Sequence, residues 1–224
     1  MADELNLAEH ATLADRIGRI ECLETELTRK AAWLVEKHAQ ISYSDMFVMG
    51  ALRRTLAQSK GFRDLIAAKN FPCAAAILRM QIDTAMRVNA LLLVEERDAC
   101  CKAVIDGKKF NTLKDSAGNK LTDAHLRKKL AERYPWVNPV YEQTSDFVHL
   151  SGRHLFSSIH STDDDTGIVY FFFGGTDPAR PDATYFEIVD TFFAVFKMIA
   201  LLLLGYFGAR SVLFEKPEAE ASEP

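Results

Sequence analysis

The stretch 198–209, MIALLLLGYFGA, contains only apolar residues, glycine and tyrosine, and it constrains the fold more than any other part of the sequence. A helix that is apolar on every side must be surrounded by other helices or by lipid. A membrane span needs about 20 consecutive apolar residues, and Asp190 and Lys197 interrupt this run. We therefore predict a helix buried in the middle of a bundle, with a membrane tail anchor as the alternative.

Upstream segments carry the start signals and the apolar spacing of helices that can surround this one. Leucine and isoleucine recur every three or four positions over roughly 5–38, which predicts a long amphipathic helix. Gly152 is predicted to close a later helix. The remaining helices are predicted from residues that favour a helix start, which are N-caps, prolines in the first turn or a capping box. They are Ser44 or Asp45 for a helix to about 69, Asn70 with Pro72, Thr122, Asn138 with Pro139, and Thr184 with Glu187 for a helix through Leu213.

The segment TGIVYFFFGGTD is rich in β-branched and aromatic residues, which predicts a strand-like segment near 167–174. Since a lone strand is unstable, it must pair with a partner chain or lie against the bundle. The predicted fold class is therefore mainly all-α, a bundle of five to six helices with a short β-like excursion. A single domain covers 1–214, and the acidic, proline-containing segment 215–224 is predicted to be a disordered tail.

The composition of the chain argues against several classes of protein. With 224 residues, one domain can fold without disulfides. The four cysteines show neither a CxxC pair nor zinc-finger spacing to histidine, and Cys100 and Cys101 are predicted to pack rather than to react. We expect no metal and no cofactor, because HExxH-like, Walker and GxGxxG patterns are absent. The first residues lack a secretory signal, so we expect a cytoplasmic protein with reduced thiols.

Charge is distributed unevenly along the chain. The net charge of −4 argues against indiscriminate binding to nucleic acid. Between Lys102 and Arg133, however, nine Lys and Arg residues oppose four Asp and Glu residues. This stretch is predicted to be a solvated helix face with a polar loop, and a local basic surface is the alternative.

The otherwise apolar segment 76–94, AILRMQIDTAMRVNALLLV, carries Arg79, Asp83 and Arg87 at intervals of four residues, and we call these three residues the arginine stripe. At about 100° per residue, the three side chains lie on one narrow face of a helix whose remaining surface is apolar. If the stripe is buried, Asp83 pairs with both guanidinium groups and the three side chains line an internal polar pocket. If the stripe is exposed, these are weak surface pairs.

A second polar cluster, SDFVHLSGRHLFSSIH, spans 145–160 and contains three of the six histidines of the chain. Ser145 and His149 are one helical turn apart and share a face. The helix macrodipole favours a protonated histidine near a helix C-terminus, which is a structural explanation for His149. The spacing of the three histidines does not match a metal-ligand motif, so we predict no metal here.

Arg153, His154 and His160 form the pattern R-H-x5-H, which resembles the R-x4–6-H motif of HEPN (higher eukaryotes and prokaryotes nucleotide-binding) domains. The resemblance implies a small helical bundle that cleaves RNA without a metal, often with residues from both subunits of a dimer. It also implies that Arg153 steadies the phosphate. His160, or alternatively His149, would be the acid or base that acts on the 2′-oxygen or the leaving group.

Three further motifs, ILRMQIDTAMR, GNKLTD and YEQTSDFVHLS, lie between roughly 45 and 160. They resemble an uncharacterised group of bacterial all-helical proteins that is HEPN-like at the level of the fold. This resemblance implies that the arginine stripe, Ser145 and His149 face one another across the bundle. Two arginines and a histidine around a pocket suit a phosphate or carboxylate ligand.

Two functional hypotheses from different classes follow. The first is a metal-independent ribonuclease of a bacterial defence or toxin system, in which Arg153 and a histidine act on RNA. The second is a non-enzymatic bundle that binds an anionic ligand or a partner protein through the arginine stripe. The segment IVYFFF and the long apolar last helix also favour a homodimer, because unpaired strands and large apolar faces require cover.

Overall fold

The computed structural model describes residues 11–36, 40–177 and 181–213, and for Arg153, Ser157 and 211–213 it describes the backbone only. Within these residues the chain forms eight α-helices and one pair of short strands, so the predicted mainly all-α fold is confirmed. The elements are α1 (Leu13–Val35), α2 (Tyr43–Ala67), α3 (Phe71–Ala90), α4 (Arg97–Ile105), α5 (Asp123–Arg133), α6 (Val137–Ser145), α7 (Gly152–Ser158), β1 (Ile159–Asp163), β2 (Ile168–Phe171) and α8 (Phe186–Leu213). The predicted tail 215–224 lies outside the described residues, as do 5–10 and 37–38 of the predicted first helix.

Helix α8 lies against α1, α2 and α3, and α5 and α6 cover the other side of α3. The ring of Phe192 on α8 stacks on Phe62 of α2 with ring centroids 3.9 Å apart. Each fully buried side chain of this size stabilises the fold by about 1.5–3 kcal/mol. By length and composition 182–210 is able to cross a membrane, and 56% of its most apolar window is buried inside the bundle. The run 198–209 therefore belongs to a helix of which a little more than half is covered by its neighbours, and Leu201 on this run is exposed.

Two helix starts agree with the capping residues that the sequence indicates. The side chain of Asn70 accepts a hydrogen bond from the Cys73 N–H at 3.2 Å at the start of α3. The hydroxyl of Thr122 accepts one from the His125 N–H at 3.3 Å at the start of α5. Each bond satisfies an N–H group that the first helical turn leaves without an intrahelical partner. The prediction of both starts is confirmed.

Helix α2 starts differently from the prediction. Its N-cap is Ser42 rather than Ser44 or Asp45, and Ser42 forms a capping box with Asp45 three residues later. Ser44 and Asp45 are buried instead, and both are within hydrogen-bonding distance of the Tyr206 hydroxyl of α8. Thr184 likewise lies in a 3-10 turn, Asp182–Tyr185, where its hydroxyl donates to the Pro181 carbonyl at 2.5 Å. The local sequence therefore predicted α2 and α8 but placed their N-caps at the wrong residues.

The eight helices within the described ranges exceed the predicted five to six because of α4 and α7. Helix α4 packs against α2 and has no side-chain cap bond at Glu96, so the sequence signal for its start is weak. Helix α7 begins at Gly152, the residue that was predicted to close the preceding helix. Helix α6 in fact ends at Ser145. Because glycine lacks a Cβ, it is tolerated at either end of a helix. The position of Gly152 alone therefore did not show whether it ends α6 or begins α7.

The predicted β-like excursion is a two-stranded antiparallel hairpin of β1 and β2. The strand that the sequence suggested therefore pairs within its own chain. In the register, Ile159 lies opposite Phe171 and Ser161 opposite Tyr170, which makes His160 the extra residue of a β-bulge. Gly167 closes the turn with φ of 68°, a left-handed conformation that favours glycine.

Asp177 attaches the segment that follows the hairpin to the bundle. Its carboxylate accepts hydrogen bonds from the Phe71 N–H at 3.0 Å and the Tyr185 hydroxyl at 2.7 Å. Its own N–H donates to the Lys69 carbonyl at 2.7 Å. One residue thus joins the α2–α3 corner to the approach to α8.

Candidate functional site

Arg79 is buried between α3 and α6, where its guanidinium makes contacts of three kinds. It pairs with the Asp83 carboxylate, and its Nε donates to the Ser145 hydroxyl at 3.3 Å. Its Cζ lies 3.4 Å from the ring centroid of Tyr141, a cation–π contact worth about 2 kcal/mol when it is desolvated. Burial raises the pKa of the Tyr141 hydroxyl. Arg79 and Ser145, which the sequence analysis expected to face one another, are in direct contact.

Asp83 links the two arginines of the stripe. Its carboxylate pairs with Arg79 and lies 3.8 Å from Nη1 of Arg87, so the predicted pairing one turn before and one turn after Asp83 is confirmed. The Asp83 carbonyl also accepts a hydrogen bond from Nη1 of Arg87 at 3.2 Å. The side chains of Arg79 and Arg87 are 10% and 35% exposed, respectively. The stripe is therefore buried at Arg79 and reaches solvent at Arg87.

Arg87 has a second carboxylate partner. Its Nη2 donates to the Asp123 carboxylate of α5 at 3.0 Å. The Asp123 side chain is 52% exposed, and exposed ion pairs stabilise a fold by only about 0–1 kcal/mol. The Arg87–Asp123 pair therefore contributes little to the stability of the fold.

Between α2 and α3, beside Arg87, lies a groove of about 520 Å³, which we call the α2–α3 groove. Its lining combines apolar and polar side chains. The apolar residues include Met46, Phe47, Ala51 and Val88, and the polar residues are Arg54, Asp83, Thr84 and Arg87. Two of the three residues of the arginine stripe, Asp83 and Arg87, thus line the groove, and the buried Arg79 does not.

Arg54 of α2 is the polar residue that faces the stripe across this groove. Its Nε donates to the Thr84 hydroxyl of α3 at 3.1 Å. In the amide orientation that satisfies both of its neighbours, Gln58 accepts from Arg54 at 3.0 Å and donates to Gln81 at 2.6 Å. Nη1 of Arg54 has no acceptor among the described residues. The guanidinium is therefore held from one side and retains a donor for a ligand.

Arg54 was not predicted as a site residue from the sequence. A usable signal was present, since Arg54 and Gln58 are one helical turn apart on α2, and Gln81 and Thr84 follow a similar spacing on α3. Polar residues at helical spacing on two adjacent helices indicate that the two polar faces meet. Only the packing of α2 on α3 shows that they do.

The residues of the second polar cluster do not converge on the α2–α3 groove. His149 is exposed after α6, and within the described part of the chain it has no hydrogen bond or ion pair with the arginine stripe. Arg153 belongs to α7, and His160 is exposed at the bulge of β1. Ser145 is the member of the cluster that accepts a hydrogen bond from the stripe. The roles assigned to His149, Arg153 and His160 stay predictions.

The cysteines at the end of the apolar segment have unreactive surroundings. Cys101 is 1% exposed. Burial, with smaller contributions from Cys100 and Asp98, raises the pKa of its thiol to about 12. Burial also raises the pKa of the Cys100 thiol. Because the thiolate is the nucleophilic form, this geometry favours packing over redox chemistry.

No group of three or more His, Cys, Asp or Glu side chains in 11–36, 40–177 and 181–213 is arranged to hold a metal ion. Comparison of the chain with models of known protein families, with curated proteins and with solved structures finds no match. A functional proposal for this chain therefore depends on its own residues and their geometry.

Proposed function

We propose that the chain binds a small anionic ligand with an apolar part in the α2–α3 groove. The observation that carries this proposal is the convergence of Arg54 and Arg87 on a groove of about 520 Å³ that also has apolar walls. Small-molecule sites are typically about 300–1,000 Å³ in volume, mostly apolar, with a few polar groups that orient the ligand. The groove has this combination.

The balance of charge supports an anion rather than a cation. In and beside the groove, the guanidinium groups of Arg54, Arg79 and Arg87 outnumber the carboxylates of Asp83 and Asp123 by one. Guanidinium groups form paired, charge-assisted hydrogen bonds with carboxylate and phosphate. Arg79 is engaged by Ser145 and Tyr141, so Arg54 and Arg87 are the arginines available to a ligand.

Calorimetric titration tests this proposal. Inorganic phosphate, a nucleoside monophosphate and a medium-chain carboxylate are the probes, because they vary the anion and the apolar part separately. We expect Arg54→Gln and Arg87→Gln each to weaken binding at least about tenfold, the equivalent of one lost charge-assisted hydrogen bond. Arg53→Gln is the matched control, since Arg53 is exposed on the same helix and does not line the groove. Failure of all three probes to bind, or equal losses in Arg53→Gln, would reject the site.

Metal-independent RNA cleavage is the second candidate function, and the position of His160 favours it. His160 is the extra residue of a β-bulge and its side chain is exposed. Bulges redirect side chains and are frequent beside active sites. Helix α7, which carries Arg153, leads directly into β1 and contacts it. In this candidate Arg153 steadies the phosphate, and His160 or His149 transfers the proton.

A cleavage assay with a labelled single-stranded RNA in the presence of EDTA tests the second candidate. General acid–base catalysis contributes about 10²–10⁴-fold, so His160→Ala or His149→Ala should reduce the rate by that range while circular dichroism remains unchanged. Thr162→Ala is the control, because Thr162 is an exposed residue of the same strand. A wild-type chain without activity, or variants with the wild-type rate, would contradict this candidate and leave the groove proposal intact.

A further inference from the structure

The hairpin exposes an apolar surface that the rest of the described chain does not cover. All four residues of β2, Ile168–Phe171, are exposed. Phe173 beyond β2 is 92% exposed, and Phe156 on α7 is 71% exposed. A two-stranded hairpin on its own is marginally stable in water, and exposed apolar patches larger than about 300–600 Å² usually mark interaction sites. The hairpin therefore has the properties of a surface that another strand covers.

The two strands differ in how their outer edges are protected. Strand β1 has a bulge at His160, a polar sequence and Asp163 at its end. Bulges and inward or terminal charges are devices that prevent an edge strand from pairing further. Strand β2, with the sequence IVYF, has no charge, no proline and no bulge. The edge of β2 is thus the one that remains open to pairing.

The exposed apolar area is a large part of the area that a stable dimer buries. Aromatic side chains have about 150–250 Å² of surface each, so the exposed parts of Tyr170, Phe171, Phe173 and Phe156 amount to roughly 500 Å² per chain. Ile168, Val169 and Leu155 are about half exposed and extend this surface. A standard protein interface buries about 800 Å² per partner.

We infer that two copies of this chain associate through β2, edge to edge and antiparallel. The sheet then has four strands in the order β1, β2, β2 of the second copy, β1 of the second copy. Antiparallel pairing of one strand with its own copy satisfies a two-fold axis, so the same surface covers itself. The uncharged edge of β2 suits this, because the side chains near the axis meet their own copies and a charge there repels itself. This inference is independent of the ligand proposed for the α2–α3 groove.

Sedimentation velocity over a range of protein concentrations tests the inference with two single-lysine variants. Val169 and Thr162 lie opposite each other in the hairpin, so Val169→Lys and Thr162→Lys place the same charge on neighbouring strands. We expect the wild-type chain and Thr162→Lys to sediment as dimers at micromolar concentration. We expect Val169→Lys to sediment with half that mass. Far-ultraviolet circular dichroism checks that all three proteins are folded.

Three outcomes would overturn the inference. A wild-type chain that remains monomeric at every concentration would mean that a different protein, or another part of this chain, covers the hairpin. Dimers in both variants would place the interface elsewhere. Loss of the dimer in both variants would indicate packing through a face of the hairpin rather than pairing through the edge of β2.

Discussion

Arg210 near the end of α8 forms a two-point ion pair with the carboxylate of Asp45 in the first turn of α2. Its Nε lies 3.2 Å from Oδ1 and its Nη2 lies 2.8 Å from Oδ2. The Tyr206 hydroxyl donates to Oδ1 of Asp45 at 2.9 Å. The Asp45 side chain is 2% exposed. Paired hydrogen bonds of this kind are among the strongest polar contacts in proteins, so this cluster fixes the end of α8 on the start of α2.

Asp45→Asn should lower the free energy of unfolding by about 2–3 kcal/mol, because it removes the carboxylate that accepts two hydrogen bonds from Arg210. The loss is smaller than for a fully buried pair, since the Arg210 side chain is 20% exposed. Urea unfolding measures the change. Asp64→Asn removes an exposed ion pair with Lys60 on the same helix and should change the free energy by at most about 0.5 kcal/mol. Equal effects of the two substitutions would show that the Asp45 cluster is no stronger than a surface pair.

Acid should weaken the fold through the same carboxylate. Burial opposes ionisation of Asp45, but hydrogen bonds from Arg210, Ser42 and Tyr206 outweigh it and lower its pKa from 3.8 to about 2. A lowered pKa in the folded state stabilises the fold above the unfolded pKa, and this stabilisation disappears as the pH falls through the folded pKa. The wild-type chain should therefore lose about 2 kcal/mol more than Asp45→Asn between about pH 5 and pH 2. Unfolding curves of both proteins at a series of pH values test this, and parallel pH profiles would contradict it.

Arg79 and Asp83 should behave as one energetic unit. Arg79→Met leaves the Asp83 carboxylate with the more distant Arg87, and Asp83→Asn leaves Arg79 buried without a carboxylate. We expect the double variant to be more stable than the sum of the two single changes predicts, with a coupling free energy of about 1–3 kcal/mol. A double-mutant cycle by chemical denaturation measures this coupling. Additive effects would mean that the ion pair contributes nothing beyond the packing of its side chains.

The four cysteines should react in a fixed order with a thiol reagent at mildly alkaline pH. Cys22 and Cys73 are exposed and should react first. Cys101 is buried with a pKa of about 12, so it should react only when the chain unfolds. Mass spectrometry of the modified chain, with and without urea, assigns each site. Rapid modification of Cys101 in the folded protein would show that α4 opens readily from α2.

Much of the fold was predictable from the sequence because its signals are local. The apolar face of α1, the caps at Asn70 and Thr122 and the apolar run of α8 all depend on residues close together in the chain. Helix α4 and the true cap of α2 were not predicted. Ser44, which seemed a cap, instead hydrogen-bonds to Asp98, and that contact spans 54 residues of sequence. Capping rules do not include such long-range partners.

The same distinction applies to the candidate site, where contacts within one helix were predictable and contacts between helices were not. Four-residue spacing was sufficient to predict that Asp83 pairs with both arginines, because all three residues are on one helix. Arg54 was missed because its role depends on the packing of α2 against α3. It was likewise not predictable that Arg79 faces Tyr141 of α6 while Arg87 faces the groove, because both contacts are between helices. One face of a helix therefore contributes to two different environments.

The attachment of the hairpin at Asp177 has a consequence for how such a chain tolerates change. Since Asp177 binds Lys69, Phe71 and Tyr185, the entry to α8 is fixed by the α2–α3 corner. Insertions or deletions within 159–173 should therefore leave the start of α8 in place. The placement of the helical scaffold therefore does not depend on the length of the hairpin.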